Sequence, residues 1–293
     1  MGPWNRLSES RRRAIRDGLT IAGLLFAGYL FVFVAPGAGT VGFDAYAYWH
    51  LDIEHPYELA AGAFGAFTYT PVAARLFAPA ALLPWPTFLW LWLAALVATT
   101  IWLGWRRTLL VLAFPPVAVE LYHCNIHLLI AAAIVLGFRY PVTWAFVLLT
   151  KVTPGVGLVW FAVRREWRSL GIALGATAVL VGVSLAIDGR LWSDWLSGAI
   201  FRVAQEGVGQ PTLPVPLFLR LPAAAVLVAW GGLTNRRWTV PAAAALALPV
   251  PWFSGLAILA ALPALNRQGL APRPIASSAR QPATLATPEP GPV

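Results

Sequence analysis

The chain has 293 residues, of which 59% are hydrophobic and 11% are charged, and its mean hydropathy is +0.69. A soluble domain cannot hide that much apolar surface, so the composition excludes a soluble enzyme and indicates an all-α, multi-pass membrane protein. The net charge of +9 comes from arginines clustered at segment ends, which indicates membrane topology by the positive-inside rule and not a nucleic-acid-binding protein. The single Cys124 excludes an intramolecular disulfide.

The first apolar segment predicts a helix over about Asp17 to Pro36. It follows a basic N-terminus (residues 1–16) and is longer than a signal-peptide core, so we interpret it as uncleaved, with the N-terminus in the cytoplasm of a cell-membrane protein. The loop from Gly37 to Phe67 is then predicted to lie on the outer side. A second outer loop is predicted from Asp188 to Leu213.

Apolar segments fill the rest of the predicted membrane domain, residues 17–265, and several are shorter than the ~20 residues of a simple span. Short or broken helices are tolerated where they line a cavity inside the protein. Beyond this domain, residues 266–293 are rich in Pro, Ala, Ser and Thr and are predicted to be a disordered cytoplasmic tail. The predicted segments are Pro71–Leu83, Trp85–Trp105, Leu109–Tyr122, Ile126–Phe138, Pro141–Lys151, Pro154–Val163, Leu170–Ile187, Pro216–Leu233, Val240–Leu248 and Trp252–Leu265.

Two pairs of half-length segments meet at prolines, one at Lys151–Pro154 and the other at Pro249–Pro251. Arginines flank both pairs, and if these are cytoplasmic, both proline tips point outward. The stretch from Pro71 to Tyr122 allows two topologies, because Pro71–Leu83 could be a re-entrant piece or a full span.

Lys151 is the only lysine in the chain, and it interrupts an apolar run. An ammonium at membrane depth costs roughly 2.5–3.5 kcal/mol on insertion scales and usually faces a cavity or a partner. A lone ammonium on a broken helix suits a phosphate group as a point charge. The alternative is a lysine that snorkels from a short helix end and needs no ligand.

Three further motifs contain candidate functional residues. Asp44 lies among aromatic residues just beyond the first helix, where a carboxylate could act as a general base, although an ordinary solvated loop aspartate is the simpler interpretation. Tyr69 precedes a proline at a helix start, and Arg75 follows one turn later, where it could bind a phosphate or snorkel. His123 and His127 are four residues apart and would share a helix face, but a hydrogen-bonding cluster at a helix start is favoured over a metal pair.

In order, these motifs resemble glycosyltransferase family 87. They are Asp44-x-Tyr46, Tyr69-x-Pro71, the turn containing Pro79 and Leu83-Pro84-Trp85, Asn125-Ile126-His127-Leu128-Leu129, Lys151-x-Thr153-Pro154, Arg164-Arg165-x-Trp167-Arg168 and a late Pro-x-Trp. The resemblance runs from about Phe43 to Ala264. It implies bacterial alpha-1,2-mannosyltransferase-like proteins of the GT-C superfamily, which use polyprenyl-phosphate sugars. The chain is shorter than is usual for the family.

The resemblance implies that Asp44 is the general base and that Lys151 lies near the phosphate of the lipid donor. Asn125 matches the asparagine of a Gly-Gln-x-Asn element, although His123-Cys124 stands where Gly-Gln is usual. Gln210 loosely matches a late Asn-Gln-Ser element. Tyr69, Arg75, Arg202 and Gln210 complete the predicted substrate-binding residues.

The leading hypothesis is therefore an inverting hexosyl transfer, with mannose as the expected sugar, on the outer membrane face. The donor would be a polyprenyl-phosphate sugar, the acceptor a glycan or glycolipid hydroxyl, and no cofactor or metal would be required. Membrane lipids are the other expected partners. The alternatives are a lipid or lipid-sugar transporter and a non-catalytic membrane scaffold with the same fold.

Overall fold

A computed structural model describes residues 8–60, 62–200 and 215–267. Within these ranges the regular structure is helical, without a strand. One label covers a helix and the 3-10 or π segment that continues it, except for the 3-10 turn Trp105–Arg107 and the π segment Trp195–Ile200, which carry no label. The helices are α1 (Glu9–Ala38), α2 (Phe43–Trp49), α3 (Pro71–Leu82), α4 (Trp85–Gly104), α5 (Thr108–Leu112), α6 (Pro115–His123), α7 (His127–Gly137), α8 (Pro141–Thr150), α9 (Thr153–Val163), α10 (Trp167–Ile187), α11 (Arg190–Asp194), α12 (Leu217–Leu233), α13 (Thr239–Leu246) and α14 (Phe253–Leu265).

Within the described residues, three helical stretches are long and apolar enough to cross a membrane, namely Glu9–Ala38, Trp85–Leu112 and Trp167–Ile187, and the bent pair Pro115–His123 and His127–Gly137 would make a fourth if it is one span. The apolar windows of the three stretches are mostly not buried inside the protein, as expected of surfaces that face lipid. The chain is thus an all-α helical membrane protein. The all-α membrane fold class predicted from the sequence is confirmed.

Helix α1 is longer than predicted, because it begins at Glu9 and not near Asp17. Ser8 caps it by accepting a hydrogen bond from the Arg11 N–H. The apolar pattern could not mark this start, because the first two turns are charged and exposed. Arginines outside the hydrocarbon core lengthen the helix at little cost while their side chains stay solvated.

Helices α6 and α7 form a sharp corner, with a bend of 116° between them. Cys124 ends α6 in the left-handed conformation (φ 56°), and α7 starts three residues later. His123 and His127 therefore lie on two different helices. The prediction that they share one helix face is wrong, because the four-residue spacing holds only for an uninterrupted helix.

Both predicted broken pairs are present. Helix α8 ends at Thr150 and α9 begins at Thr153, so that Lys151 and Val152 form the first break. Helix α13 ends at Leu246 and α14 begins at Phe253, on either side of the second group of prolines.

The stretch from Pro71 to Tyr122 contains one long helix among short ones. Helix α3 has 12 residues including its 3-10 end, too few for a simple span. Helix α4 is followed by a 3-10 turn at Trp105–Arg107, where Trp105 has a φ of 50°. The predicted continuous segment Leu109–Tyr122 is divided into α5 and α6, since Pro115 and Pro116 start a new helix.

The core lies where α7, α8, α9 and α13 meet. Trp144 and Trp160 are the largest fully buried side chains there. Gly137 and Gly157 permit this packing, because a Cβ atom at either position would collide with the Trp144 ring. The close-packed core fixes the corner and the first broken pair, which carry the candidate site.

Candidate functional site

Asp44 is held in the first turn of α2 by a backbone junction with α6. The Gly42 N–H donates to the Tyr122 carbonyl (2.9 Å), and the hydroxyls of Thr40 and Tyr122 are 2.6 Å apart. Gly42 has a φ of 74°, and a Cβ atom there would crowd the Leu89 side chain, so glycine suits this position. The junction places α2 against the corner between α6 and α7.

Tyr48 and Tyr69 meet Asn125 in a buried triangle. The two phenol oxygens are 2.9 Å apart, and each lies 3.3 Å from Asn125 Oδ1. All three side chains are at least nine-tenths buried. Each hydroxyl has one hydrogen, so the triangle is satisfied when one phenol donates to the other and the second donates to Asn125.

The Asn125 amide links this triangle to Asp44. Its Oδ1 also accepts from the Ile126 N–H at 2.7 Å, so its acceptor side is fully used. The amide group lies near Asp44, and a hydrogen bond from it opposes the rise in the pKa of that carboxyl. Asn125 thus connects α2, the approach to α3 and the α6–α7 corner.

Lys151 joins the same cluster through Tyr69. Its Nζ lies over the Tyr69 ring, 5.4 Å from the centroid, in a cation–π contact. The Thr70 hydroxyl donates to the Leu149 carbonyl and so ties the start of α3 to the end of α8 beside the lysine. Among the described residues, the ammonium has no hydrogen-bond partner and no ion pair.

Burial raises the pKa of Asp44 above the ordinary value of an aspartic acid. The hydrogen bond from Asn125 opposes this rise, and so do the charges of His123 and Lys151, whereas the negative charge of Glu120 adds to it. Asp44 therefore lies within electrostatic range of both Lys151 and Glu120. A carboxylate with a raised pKa is a stronger base than an ordinary surface aspartate.

Glu120 and His127 form a buried pair behind Asn125. Glu120 is fully buried, its Oε1 accepts from the His127 N–H at 2.6 Å, and its Oε2 lies 2.9 Å from His127 Nδ1. The hydrogen-bonding cluster predicted at this helix start is present. The sequence analysis did not single out Glu120, although a lone carboxylate in the apolar run Pro115–Tyr122 carries the same signal as Lys151.

The remaining predicted site residues lie elsewhere or outside the described residues. Arg75 Nη2 is 4.0 Å from a carboxylate oxygen of Asp188, and none of its described contacts reaches Asp44, Asn125 or Lys151. Arg202 and Gln210 lie outside the described residues. The structure thus brings together Asp44, Tyr69, Asn125 and Lys151 from four separate stretches of the sequence.

No group of three or more potential ligands from His, Cys, Asp and Glu that could hold a metal ion occurs in the part of the chain that the structure describes. His127 Nδ1 is engaged by Glu120, and His123 stands on the other side of the corner. The cluster combines the carboxyl group of Asp44, the amide of Asn125 and the ammonium of Lys151. A carboxylate can take up a proton, and an ammonium can hold an anion.

The fold and this cluster define an all-α membrane protein with a polar site between broken helices. The model of glycosyltransferase family 87 matches residues 67–278, more than half of the chain. The chain belongs to glycosyltransferase family 87, and the predicted family is confirmed. It is in general terms a membrane glycosyltransferase, which acts on a sugar donor and an acceptor.

The matched range includes Tyr69, Arg75, Asn125 and Lys151, but it begins after Asp44. The case for Asp44 therefore depends on its contacts in the structure. Searches of curated proteins and of solved structures gave no match.

Proposed function

We propose that the chain transfers a hexose, with mannose as the proposed sugar, from a polyprenyl-phosphate donor to the hydroxyl of a glycan or glycolipid. One observation carries the proposal: Asp44 and the Lys151 ammonium, which has no hydrogen-bond partner among the described residues, are joined through Asn125 and Tyr69 in one cluster. Membership of family 87 supports a glycosyl transfer by this cluster. The N-terminus is proposed to be cytoplasmic and the cluster to face the outer side of the cell membrane.

Asp44 is the proposed general base. The carboxylate takes the proton of the acceptor hydroxyl as that oxygen attacks the anomeric carbon of the donor. The new bond forms on the face opposite the leaving group, so that one displacement inverts the anomeric centre. Asn125 holds the carboxylate in place through its amide N–H.

Lys151 is the proposed phosphate-binding group. As the bond between the anomeric carbon and the phosphate oxygen breaks, its electron pair stays on the polyprenyl phosphate. An ammonium held over the Tyr69 ring is positioned before the reaction and can stabilise this developing charge. The single phosphate of such a donor matches the point charge of this ammonium.

The test is transfer by the purified full chain in liposomes, with radiolabelled polyprenyl-phosphate mannose and a mannose-bearing acceptor. The expected result is a labelled glycan whose new linkage has the opposite anomeric configuration to the donor. Translocation of the labelled lipid without a glycan product would overturn the proposal in favour of a transporter. A product of retained configuration would overturn the single displacement.

A further inference from the structure

Glu120 makes contacts that the proposed chemistry does not use. It lies one turn before the end of α6, and its carboxylate accepts from the N–H group of His127. Its second oxygen is 2.9 Å from the His127 ring. One side chain of α6 thus satisfies the N–H group of the first residue of α7, which no carbonyl of its own helix can pair.

These contacts cross the 116° corner between the two helices. At the apex, Cys124 adopts the left-handed conformation, and the Trp92 indole N–H donates to its carbonyl at 2.9 Å. The side chain of Glu120 closes the inner side of the corner. The angle at which α7 leaves α6 therefore depends on this carboxylate.

Asn125 lies in that corner, between the two helices that Glu120 joins. Its orientation is fixed by the contacts at Oδ1, which accepts from the backbone N–H of Ile126 and lies 3.3 Å from each of the two phenol oxygens. A change in the corner would rotate this backbone N–H and the amide with it. The amide N–H is the donor to Asp44, so the geometry of the base depends on the corner.

We infer that Glu120 is a positioning residue for the Asp44 base, because its carboxylate fixes the corner that aims Asn125 at Asp44. The inference rests on the proposed function. An effect of charge alone would be distinguishable, because the negative charge of Glu120 disfavours ionisation of Asp44, and its removal would move the acid limb of the transfer reaction to lower pH. A carboxylate that served only to cap α7 would stabilise the fold without affecting the pH dependence of transfer.

The experiment is the pH dependence of kcat for Glu120→Gln, with the full chain in liposomes and polyprenyl-phosphate mannose as donor. Gln keeps the size of the side chain and one carbonyl acceptor but removes the charge. Because a relaxed corner weakens the Asn125 contact that lowers the pKa of Asp44, the acid limb of the profile, where Asp44 becomes protonated, should move to higher pH, as for loss of the Asn125 side chain. The maximal kcat should fall roughly 10- to 100-fold, as for small misplacements of a catalytic group, and the donor Kd should change much less.

Arg267→Gln is the matched control. The Arg267 side chain braces the other end of α4 by donating to the Trp102 carbonyl at 2.5 Å. That end is about 15 Å along the helix from Trp92, which contacts the corner. Loss of this brace should lower thermal stability and leave the acid limb in place.

An acid limb of Glu120→Gln that stays in place or moves to lower pH overturns the inference, whatever the maximal kcat of this variant. If that variant is not recovered in membranes, Glu120→Asp takes its place, since it keeps the charge and shortens the reach. Its acid limb should also move to higher pH while kcat falls, and an unchanged kcat would overturn the inference. An active Asp44→Asn variant would instead overturn the proposed function itself, which keeps the two failures distinguishable.

Discussion

A cation lies at the break of each of the two helix pairs, and the two cations differ in their hydrogen bonds. At the break between α13 and α14, the Arg220 guanidinium is buried and donates to the carbonyls of Val215, Leu246, Leu248 and Pro249 at 2.6–3.0 Å. At the break between α8 and α9, the Lys151 ammonium lies over the Tyr69 ring and has no hydrogen-bond partner among the described residues.

The difference separates a structural cation from a candidate binding group. Arg220 donates to carbonyls that the end of a helix leaves without an N–H partner. Because most of its N–H groups are used in this way, few remain to bind a ligand. Lys151 keeps three donors available in an apolar region, where such groups are costly without a partner. A broken helix is therefore not in itself a binding site, and the state of its cation distinguishes the two cases.

Removing the charge at Lys151 should have the larger effect on binding. Lys151→Met keeps most of the side-chain stem and removes the ammonium. Because a charge-assisted hydrogen bond is worth about 1.5–3 kcal/mol, the Kd for polyprenyl-phosphate mannose should rise roughly 10- to 100-fold. Equilibrium binding to the purified protein measures this change, and an unchanged Kd would remove Lys151 from the site.

Arg220→Met should have the opposite pattern. Four carbonyls lose their donor, and the free energy of unfolding should fall by roughly 2–4 kcal/mol, since unpaired buried acceptors are costly. The fall would be seen as a lower Tm in the same detergent, while donor affinity per folded molecule stays within about twofold. A loss of affinity equal to that of Lys151→Met would contradict the contrast between the two breaks.

The contrast was only partly predictable from sequence. The prolines and Lys151 predicted both breaks, because a proline cannot continue a helix without losing a hydrogen bond. Nothing in the sequence indicated that Arg220 would reach across to α13, or that Tyr69 would meet Lys151. Contacts between residues distant in sequence depend on packing, which the local pattern does not encode.

The same limit applies at the corner. The sequence predicted a polar cluster around Asn125, and the structure contains one. The two histidines were placed on one face because the left-handed residue that ends α6 is Cys124 and not the usual glycine. Glu120 and its contacts across the bend were missed for the same reason.

Asn125→Ala should change the pH dependence of transfer. It removes the hydrogen bond that lowers the pKa of Asp44, so that the pKa rises further above its ordinary value. The base must be ionised to act, and activity is lost as the pH falls through its pKa. The acid limb of kcat should therefore move to higher pH, and the maximal kcat should fall roughly tenfold through poorer orientation. A shift to lower pH would contradict the assigned contact.

Tyr48→Phe should have the smallest effect. It removes one of the donors around Asn125 Oδ1 and leaves the Tyr69 hydroxyl and the Ile126 N–H in place. Loss of one neutral hydrogen bond, worth about 0.5–1.5 kcal/mol, should lower kcat roughly two- to tenfold in the liposome assay. A loss as large as that of Asp44→Asn would mean that the phenol itself acts on the substrate.

The central claim is that Asp44 is the base of a site that Lys151 prepares for a lipid phosphate. The direct test is the rate of transfer from polyprenyl-phosphate mannose by Asp44→Asn, with donor binding and Tm measured on the same preparation. The predicted kcat is lower by about 10²–10⁴-fold, the range for loss of a general base, with an unchanged donor Kd. The pKa of Asp44 is raised in the folded protein, so ionisation of this carboxyl disfavours folding as the pH rises. Asparagine carries no charge, and the Tm of Asp44→Asn at neutral pH should therefore not fall below that of the unmodified chain. A stable Asp44→Asn protein that transfers sugar at the original rate would contradict the account.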